Sequence, residues 1–288
     1  MMLVTGARGA VGSYVPGVFS GEELVLTDAH DLDITDAAAV RDAFRRLRPQ
    51  RVLHLAGATD VERCEREPGW TERSNVAGTK NIAEACREAD AALVLLSTGM
   101  VFDGRKEGLY VESDAPAPPS VYGRSKLAGE EDVRRLVPRH LIVRAGWMIG
   151  GGVLDRKFVM KILGRMAQGQ PIQAVSDQWG TLTHARQLLD QIRALLDRGH
   201  TGLFHAVNRG AVTRFDVARE TARLVASAVP VSPIPAATFP TAVPRVRNEA
   251  LRNLRLEKLG LERMTGWKDA LAEYIGELRD HGLLNGLP

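Results

Sequence analysis

Short apolar runs alternate along the chain with longer stretches in which apolar residues recur every three or four positions. Met2–Thr5 is apolar and ends at a glycine-rich turn, which predicts a first strand buried on both faces. Gly9–Val18 can hold a short helix, and Glu23–Asp28 predicts a second strand ending in an acid. Val40, Phe44 and Leu47 then share one helical face, with Thr35 as the expected N-cap and Pro49 as the stop. Strands are predicted over Arg51–Ala56, Ala91–Ser97 and Leu141–Ala145. Between them lie helical stretches over Thr71–Ala89, carrying Val76, Ile82, Ala83 and Cys86, and over Val121–Val137, bracketed by Pro118-Pro119 and Pro138. A helix over Ala185–Asp197 precedes one more strand, Gly202–Val207. This alternation predicts an α/β fold with a doubly wound parallel sheet, Rossmann-like, and a smaller α/β C-terminal lobe. Pro230–Pro244 holds five prolines and can be neither a helix interior nor a central strand. It reads as a linker or as a loop over a site.

Composition narrows the classes. The 288 residues are 44% hydrophobic, enough for a sizeable core. The net charge is +3, and the basic residues are spread along helical faces rather than massed, so no nucleic-acid partner is expected. No apolar stretch approaches the ~20 residues that span a bilayer, and the N-terminus lacks the pattern of a signal peptide. Cys64 and Cys86 form no C-x-x-C pair, so reduced thiols in a cytoplasmic protein are expected. The seven histidines show no metal-ligand spacing, and no metal is expected.

Chemistry enters at the first turn. Gly6-Ala7-Arg8-Gly9-Ala10-Val11-Gly12 is G-x-x-G-x-x-G directly after a strand. Such a turn lets backbone N–H groups approach a pyrophosphate at a helix N-terminus. Asp28, 22 residues after Gly6, stands where an acid would accept from the adenosine ribose. Asp33 and Ile34 would border the adenine, and Ala56-Gly57-Ala58 would let the nicotinamide side lie close. The expected cofactor is NAD(H) or NADP(H): Asp28 repels a 2′-phosphate, whereas Arg8 would attract one.

Tyr122 and Lys126 are spaced Y-x-x-x-K, which puts phenol and ammonium on one helical face. A lysine cation ~6 Å away, at an effective dielectric of ~20, favours the phenolate by roughly 3 kcal/mol, about two pKa units. Thr98 follows the fourth apolar strand, at the end where a doubly wound sheet binds ligands. Glycine turn, strand-end acid, strand-end hydroxyl and Y-x-x-x-K together predict a carbonyl reductase.

These motifs resemble the extended short-chain dehydrogenase/reductases, and among them the dTDP-4-dehydrorhamnose reductases. The resemblance runs through Asp33–Asp36 (DITD), Asn75–Asn81, Ser97–Gly104 (STGMVFDG), Val121–Glu130 (VYGRSKLAGE), Arg144–Trp147 (RAGW) and Asp177–Thr183 (DQWGTLT). It implies that Thr98, Tyr122 and Lys126 are the catalytic trio, with Tyr122 and Lys126 also touching the cofactor. It implies Trp147 beside the substrate sugar, and Arg245 and Asn248 toward the nucleotide. Gly99 and Met100 stand where the family usually has Asp-Tyr, at positions bordering the substrate, and Val246 stands in place of a proline.

Residues 1–147 are accordingly expected to form the dinucleotide-binding domain, with the strand near 202–207 returning to it. Residues 148–201 and 208–288 are expected to form the substrate lobe. The expected reaction is NAD(P)H-dependent reduction of a 4-keto nucleotide-sugar, hydride coming from the nicotinamide and the proton from Tyr122. Expected partners are that nucleotide-linked keto-sugar and, in assembly, a homodimer. A nucleotide-sugar epimerase or dehydratase of the same fold, or a non-catalytic cofactor-binding regulatory subunit, are the alternatives.

Overall fold

The computed structural model describes residues 1–239, 241–244, 246–284 and 286–287. Six parallel strands form the central sheet. In order across it they are Leu24–Thr27, Met2–Thr5, Arg51–His54, Ala92–Thr98, His140–Ala145 and Gly202–His205. The chain steps outward from the first strand to the second, then returns past the first to build the other side. That reversal opens a crevice beyond the C-terminal ends of the first and third strands.

Side-chain alternation along the buried strands feeds two cores. Met2, Val4, Leu53, Val94, Leu141 and Val143 pack against Val15, Val18 and Phe19 and against Leu188, Leu189, Ile192 and Leu195 of the helix Ala185–Asp197. Leu3, Val52, Leu93, Leu95 and Ile142 face the other way. They pack against Val40 and Phe44 of Ala37–Leu47, Ile82 and Cys86 of Gly78–Glu88, and Val133 and Leu136 of Val121–Leu136. Helices therefore cover both faces, which is why these strands read as continuous apolar runs.

A separate core lies beyond the sheet. It joins Val159, Ile162 and Met166 of the helix Phe158–Ala167, Val217 and Ala218 of Arg214–Leu224, and Leu271, Tyr274 and Ile275 of Trp267–Asp280. Three two-stranded sheets frame it: Trp147–Ile149 with Leu182–His184, Trp179–Gly180 with Val212–Thr213, and Ile172–Val175 with Val231–Ile234. The last pair takes Pro233 into an edge strand opposite Ala174, an edge position that tolerates a residue without an N–H. Further along the proline-rich segment, Thr241 hydrogen-bonds Glu62 at the rim of the crevice.

Two local expectations are corrected. The helix Ala37–Leu47 is capped by Asp36, not Thr35: Asp36 Oδ1 accepts from the N–H of Ala38 and Ala39 at 2.8 and 3.1 Å. Thr35 instead donates its hydroxyl to Asp33. The stretch Thr71–Ala89 is not a uniform α-helix, because Glu72–Ala77 forms a π-helical turn before Gly78–Glu88.

Where the chain leaves the sheet for the outer lobe, Gly150, Gly151 and Gly152 all have positive φ, at 112°, 103° and 54°. A Cβ on Gly151 would lie 2.6 Å from Ala10 Cβ, so this crossing packs directly on the first glycine turn. Gly151 N–H donates to Tyr14 Oη at 3.0 Å, and Tyr14 in turn donates to Glu277. Among the described residues no helix is long and apolar enough to cross a membrane. Both cysteines are buried free thiols.

Candidate active site

Beyond the C-terminal ends of the strands lies a cleft of about 1050 Å³. Of the expected residues it gathers Gly6, Gly9, Ala10, Val11, Gly12, Asp28, Asp33, Ile34, Ala56, Gly57, Ala58, Thr98, Tyr122 and Lys126. A cavity of about 1210 Å³ opens at the opposite end of the sheet, lined by Arg48, Pro49, Gln50, Asp90 and Arg139, and none of the expected residues lines it.

The glycine turn is built by close approach. Gly6 has φ +71°, and a Cβ there would sit 2.6 Å from Ala56 N; on Gly12 it would sit 2.4 Å from Ala7 O. The first and third strands thus come together with nothing between them but backbone. Asp28 Oδ2 accepts from the Arg8 N–H at 3.2 Å, which seats the acid beside the turn. The Arg8 side chain lies outside the lining of the cleft, exposed and paired with Asp31 at 3.3 Å.

Asn75, in the π-helical turn, ties this half to the catalytic helix. Its Oδ1 accepts from Ala58 N–H at 2.7 Å, and its Nδ2 donates to Ala58 O and to Ser125 Oγ. A side chain on Gly57 would collide with it at 2.8 Å. Asn75 is fully buried and was not named as a site residue, although it opens the Asn75–Asn81 stretch that carries the resemblance.

Tyr122 sits in the first turn of Val121–Leu136, which Ser120 caps by accepting from Gly123 N–H at 3.1 Å. Gly123 lets that turn rest on the Met100 carbonyl, 2.3 Å from where its Cβ would be. Thr98 lies near enough to Tyr122 to favour the charged form of its phenol. Lys126, one helical turn on, is 9% exposed, lines the cleft, and has no hydrogen-bond partner among the described residues.

Electrostatics differ from the expectation. Burial is the largest influence on Tyr122 and pushes its pKa up; Cys64 and Glu249 push the same way, while Thr98 pulls it back. Burial also pushes Lys126 down to about 8, against the supporting charge of Glu130. Lys126 therefore does not bring the phenol toward neutrality as the i, i+4 spacing predicts, because both groups have lost the water that would stabilise their charges. Burial likewise pushes His54 down to about 3, with Lys126 adding to the effect, so its imidazole is neutral.

Beneath this pair lies a buried ion network. Arg144 grips Glu130 with Nε and Nη2 at 2.9 and 2.7 Å, Ser97 donates to Glu130 at 2.6 Å, and Arg134 adds a contact at 2.7 Å. Glu130 and Arg144 are both almost wholly excluded from solvent.

The outer residues divide. The Trp147 indole occupies the space a Gly180 side chain would fill, 2.4 Å from its Cβ position. It donates to Glu249 Oε1 at 2.6 Å and lies 3.8 Å beneath the Arg214 guanidinium. Gly99 leaves little room for a side chain: a Cβ there would meet Glu249 O at 3.0 Å and the Leu251 side chain at 3.3 Å. Asn248 has its side chain engaged within the chain. It spends Nδ2 on Lys106 O and Gly108 O, both at 2.8 Å, and Oδ1 on Ala250 N–H, so it clamps two loops together. Met100 contributes backbone contacts at the edge of the cleft and is not part of its lining. Arg245 lies outside the described residues.

Local spacing also gave no hint of a ligand-type cluster at the lobe boundary. The fold brings His184, Glu273 and Glu277 together, with their ligand atoms within 4.8 Å of one another. The three come from segments remote in sequence, which no short motif can reveal.

Comparison with known proteins agrees with this architecture. Residues 1–280 match the family model described as the RmlD substrate binding domain. The dTDP-4-keto-6-deoxy-D-glucose reductase of Streptomyces niveus is 36% identical over 228 residues, 78% of each chain. The crystal structure of a dTDP-4-dehydrorhamnose reductase from Clostridium acetobutylicum superposes with a TM-score of 0.93 at 34% identity, covering 96% of this chain and 99% of that one. A dTDP-4-dehydrorhamnose reductase from Bacillus anthracis, solved in complex with NADP, gives 0.90 at 28% identity, covering 96% and 98%. With the six-stranded sheet, the glycine turn and the Thr98–Tyr122–Lys126 cleft in place, the chain belongs to the RmlD substrate binding domain family, the family of the dTDP-4-dehydrorhamnose reductases.

Proposed function

We propose that this protein reduces the 4-keto group of a nucleotide-linked 6-deoxyhexose at the expense of NADH or NADPH. The observation that carries the reading is the placement of Thr98, Tyr122 and Lys126 in one cleft with the Gly6–Gly12 turn. The residues fit a dinucleotide. The turn is a cradle that side chains would fill, and the Lys126 ammonium is buried with its donors unspent. Gly6, Gly9, Ala10, Val11 and Gly12 would hold the pyrophosphate and Asp28 the adenosine ribose. Asp33 and Ile34 would flank the adenine, and Ala56, Gly57 and Ala58 the nicotinamide side. Residues 1–147 with the strand near 202–207 would carry the cofactor, and 148–201 with 208–288 the sugar.

When bound, the reduced nicotinamide supplies a hydride to the carbonyl carbon. The chain's own residues handle the oxygen. Thr98 donates its hydroxyl toward the carbonyl, and Tyr122 gives its proton to the oxygen as negative charge develops there. The raised pKa suits a reductase: the phenol is protonated at neutral pH, and an alkoxide is basic enough to take its proton. The Tyr122 phenolate left behind is stabilised by the Thr98 hydroxyl and regains its proton from solvent.

The dTDP-linked 4-keto-6-deoxyglucose is the first substrate to try, with loss of reduced-nicotinamide absorbance as the readout. Net consumption of added cofactor separates a reductase from an epimerase or dehydratase that recycles a tightly held one. Tyr122→Phe is expected to keep dinucleotide affinity and lose turnover by about 10²- to 10⁴-fold; near-normal turnover in that variant would remove Tyr122 from the mechanism. A homodimer in the cytoplasm accompanies this reading, and light scattering of the purified protein tests the assembly.

A further inference from the structure

The outer lobe lines the cleft with three cations that the dinucleotide reading does not use. Arg156, Lys157 and Lys161 stand there with Leu154, in the segment that follows the three-glycine crossing. That crossing rests on the first glycine turn through Gly151 and Ala10, so the segment sets out from beside the turn. All three residues are exposed, and among the described residues none of their side chains has a hydrogen bond or an ion pair. The acid next to them in sequence, Asp155, is already engaged: Oδ1 accepts the Lys157 backbone N–H at 2.8 Å, and Oδ2 accepts the Tyr274 hydroxyl at 2.9 Å. Lys157 and Lys161 stand one turn apart at the start of the helix Phe158–Ala167, a like-charged spacing that works against a helix. Loss of water around the Lys157 ammonium pushes its pKa down, against the pull of Asp155, and the Arg214 charge adds to the push. Three unpaired cations gathered along one cleft repel one another until an anion joins them, a local conflict of the kind that marks a binding site.

We propose that Arg156, Lys157 and Lys161 form a second anion site in the cleft, which takes the diphosphate of the nucleotide-linked sugar while the glycine turn takes that of the dinucleotide. This rests on the reductase reading above. A reductase of that kind must hold two negatively charged diphosphates at once in a cleft of about 1050 Å³. The Gly6–Gly12 turn offers its backbone N–H groups to one of them. The other needs positive charge of its own, both to bind and to offset repulsion from the first, and these side chains supply it. The site also continues into the outer lobe: Phe158, next to Lys157, shares the Arg214 guanidinium with Trp147. Lysine ammonium groups act as flexible point charges, so the site grips phosphate oxygens without reading the base.

The test uses protein saturated with NADPH, so that the glycine turn is filled, and measures binding of dTDP and of thymidine by calorimetry. Wild type is compared with Lys157→Met and with the Lys157→Met/Lys161→Met double variant. Wild type should prefer dTDP by at least about 100-fold, the worth of two hydrogen bonds between charged partners. The preference should fall by about 10-fold in the single variant and about 100-fold in the double one. NADPH affinity, measured beforehand on the unliganded protein, should stay at the wild-type value and reports that each variant is folded. A dTDP preference that survives in the double variant overturns the proposal. So does an equal loss for dTDP and thymidine, the signature of a distorted lobe. So does a loss of NADPH affinity with dTDP binding unchanged, which hands these cations to the diphosphate of the dinucleotide. The reductase reading fails separately: wild-type protein that shows the preference yet reduces no dTDP-linked keto-sugar keeps the anion site and removes the reaction.

Discussion

Replacing Lys126 with methionine should make the empty protein more stable while disabling it. Burial lowers the Lys126 pKa from 10.5 to about 8, a drop worth about 3 kcal/mol against folding with the group charged. Methionine fills nearly the same volume without the charge. The sign follows from proton binding. Between about pH 8 and 10.5 the unfolded chain holds the Lys126 proton and the folded chain has released it, so wild-type stability rises with pH across that window. Below pH 8 both states are protonated and the cost is full; above 10.5 neither is, and it vanishes. Thermal unfolding of both proteins without dinucleotide should therefore show the variant ahead at pH 7. Spread over the unfolding entropy of a chain this long, about 3 kcal/mol corresponds to a Tm gain of about 5 °C. The gap should close by pH 10.5. A saturating dinucleotide should narrow or reverse it, since the lysine then has a ligand to hold. A Lys126→Met protein less stable than wild type at pH 7, or a difference that ignores pH, would refute the account of Lys126 as a strained, unspent donor.

Glu130→Gln removes the charge that Arg144 holds with two hydrogen bonds, leaving a buried guanidinium unpaired; about 3–5 kcal/mol of stability should be lost, read from denaturant midpoints. Gly12→Ala drives a methyl into the Ala7 backbone and should cost about 1–3 kcal/mol, with weakened dinucleotide binding by calorimetry. Arg8→Ala should leave Tm unchanged, since the exposed Arg8–Asp31 pair contributes little, while raising the KM for NADPH more than that for NADH.

The cofactor half was largely legible in the sequence because its signals are local. A glycine turn after an apolar strand, a hydroxyl at a strand end and two residues one helical turn apart each need only a few neighbours to be read. Strands buried on both faces also announce themselves, as Leu93–Leu95 does by feeding both cores. The outer lobe was less legible. Its strands run two to four residues, too short to display a period, and its chemistry is assembled from remote positions: Trp147, Arg214 and Glu249 meet only in the fold. Polar residues misled for a related reason. Asn248 and Thr35 have the functional groups a site or a cap requires, but neighbouring backbone or an adjacent aspartate claims them first. The pKa of Tyr122 was misjudged because a sequence reveals charges and spacing but not how much water remains around them.

The three consecutive glycines at residues 150–152 bear on how such enzymes can be recombined. They take backbone angles that other residues resist, and the middle one rests against Ala10 in the phosphate-side turn. A chimera that exchanges the outer lobe with that of a relative should therefore be spliced after Gly152. Splicing earlier would bring a foreign side chain against Ala10 and spread the loop on which the dinucleotide is expected to lie, so a change meant for one ligand would be felt by the other.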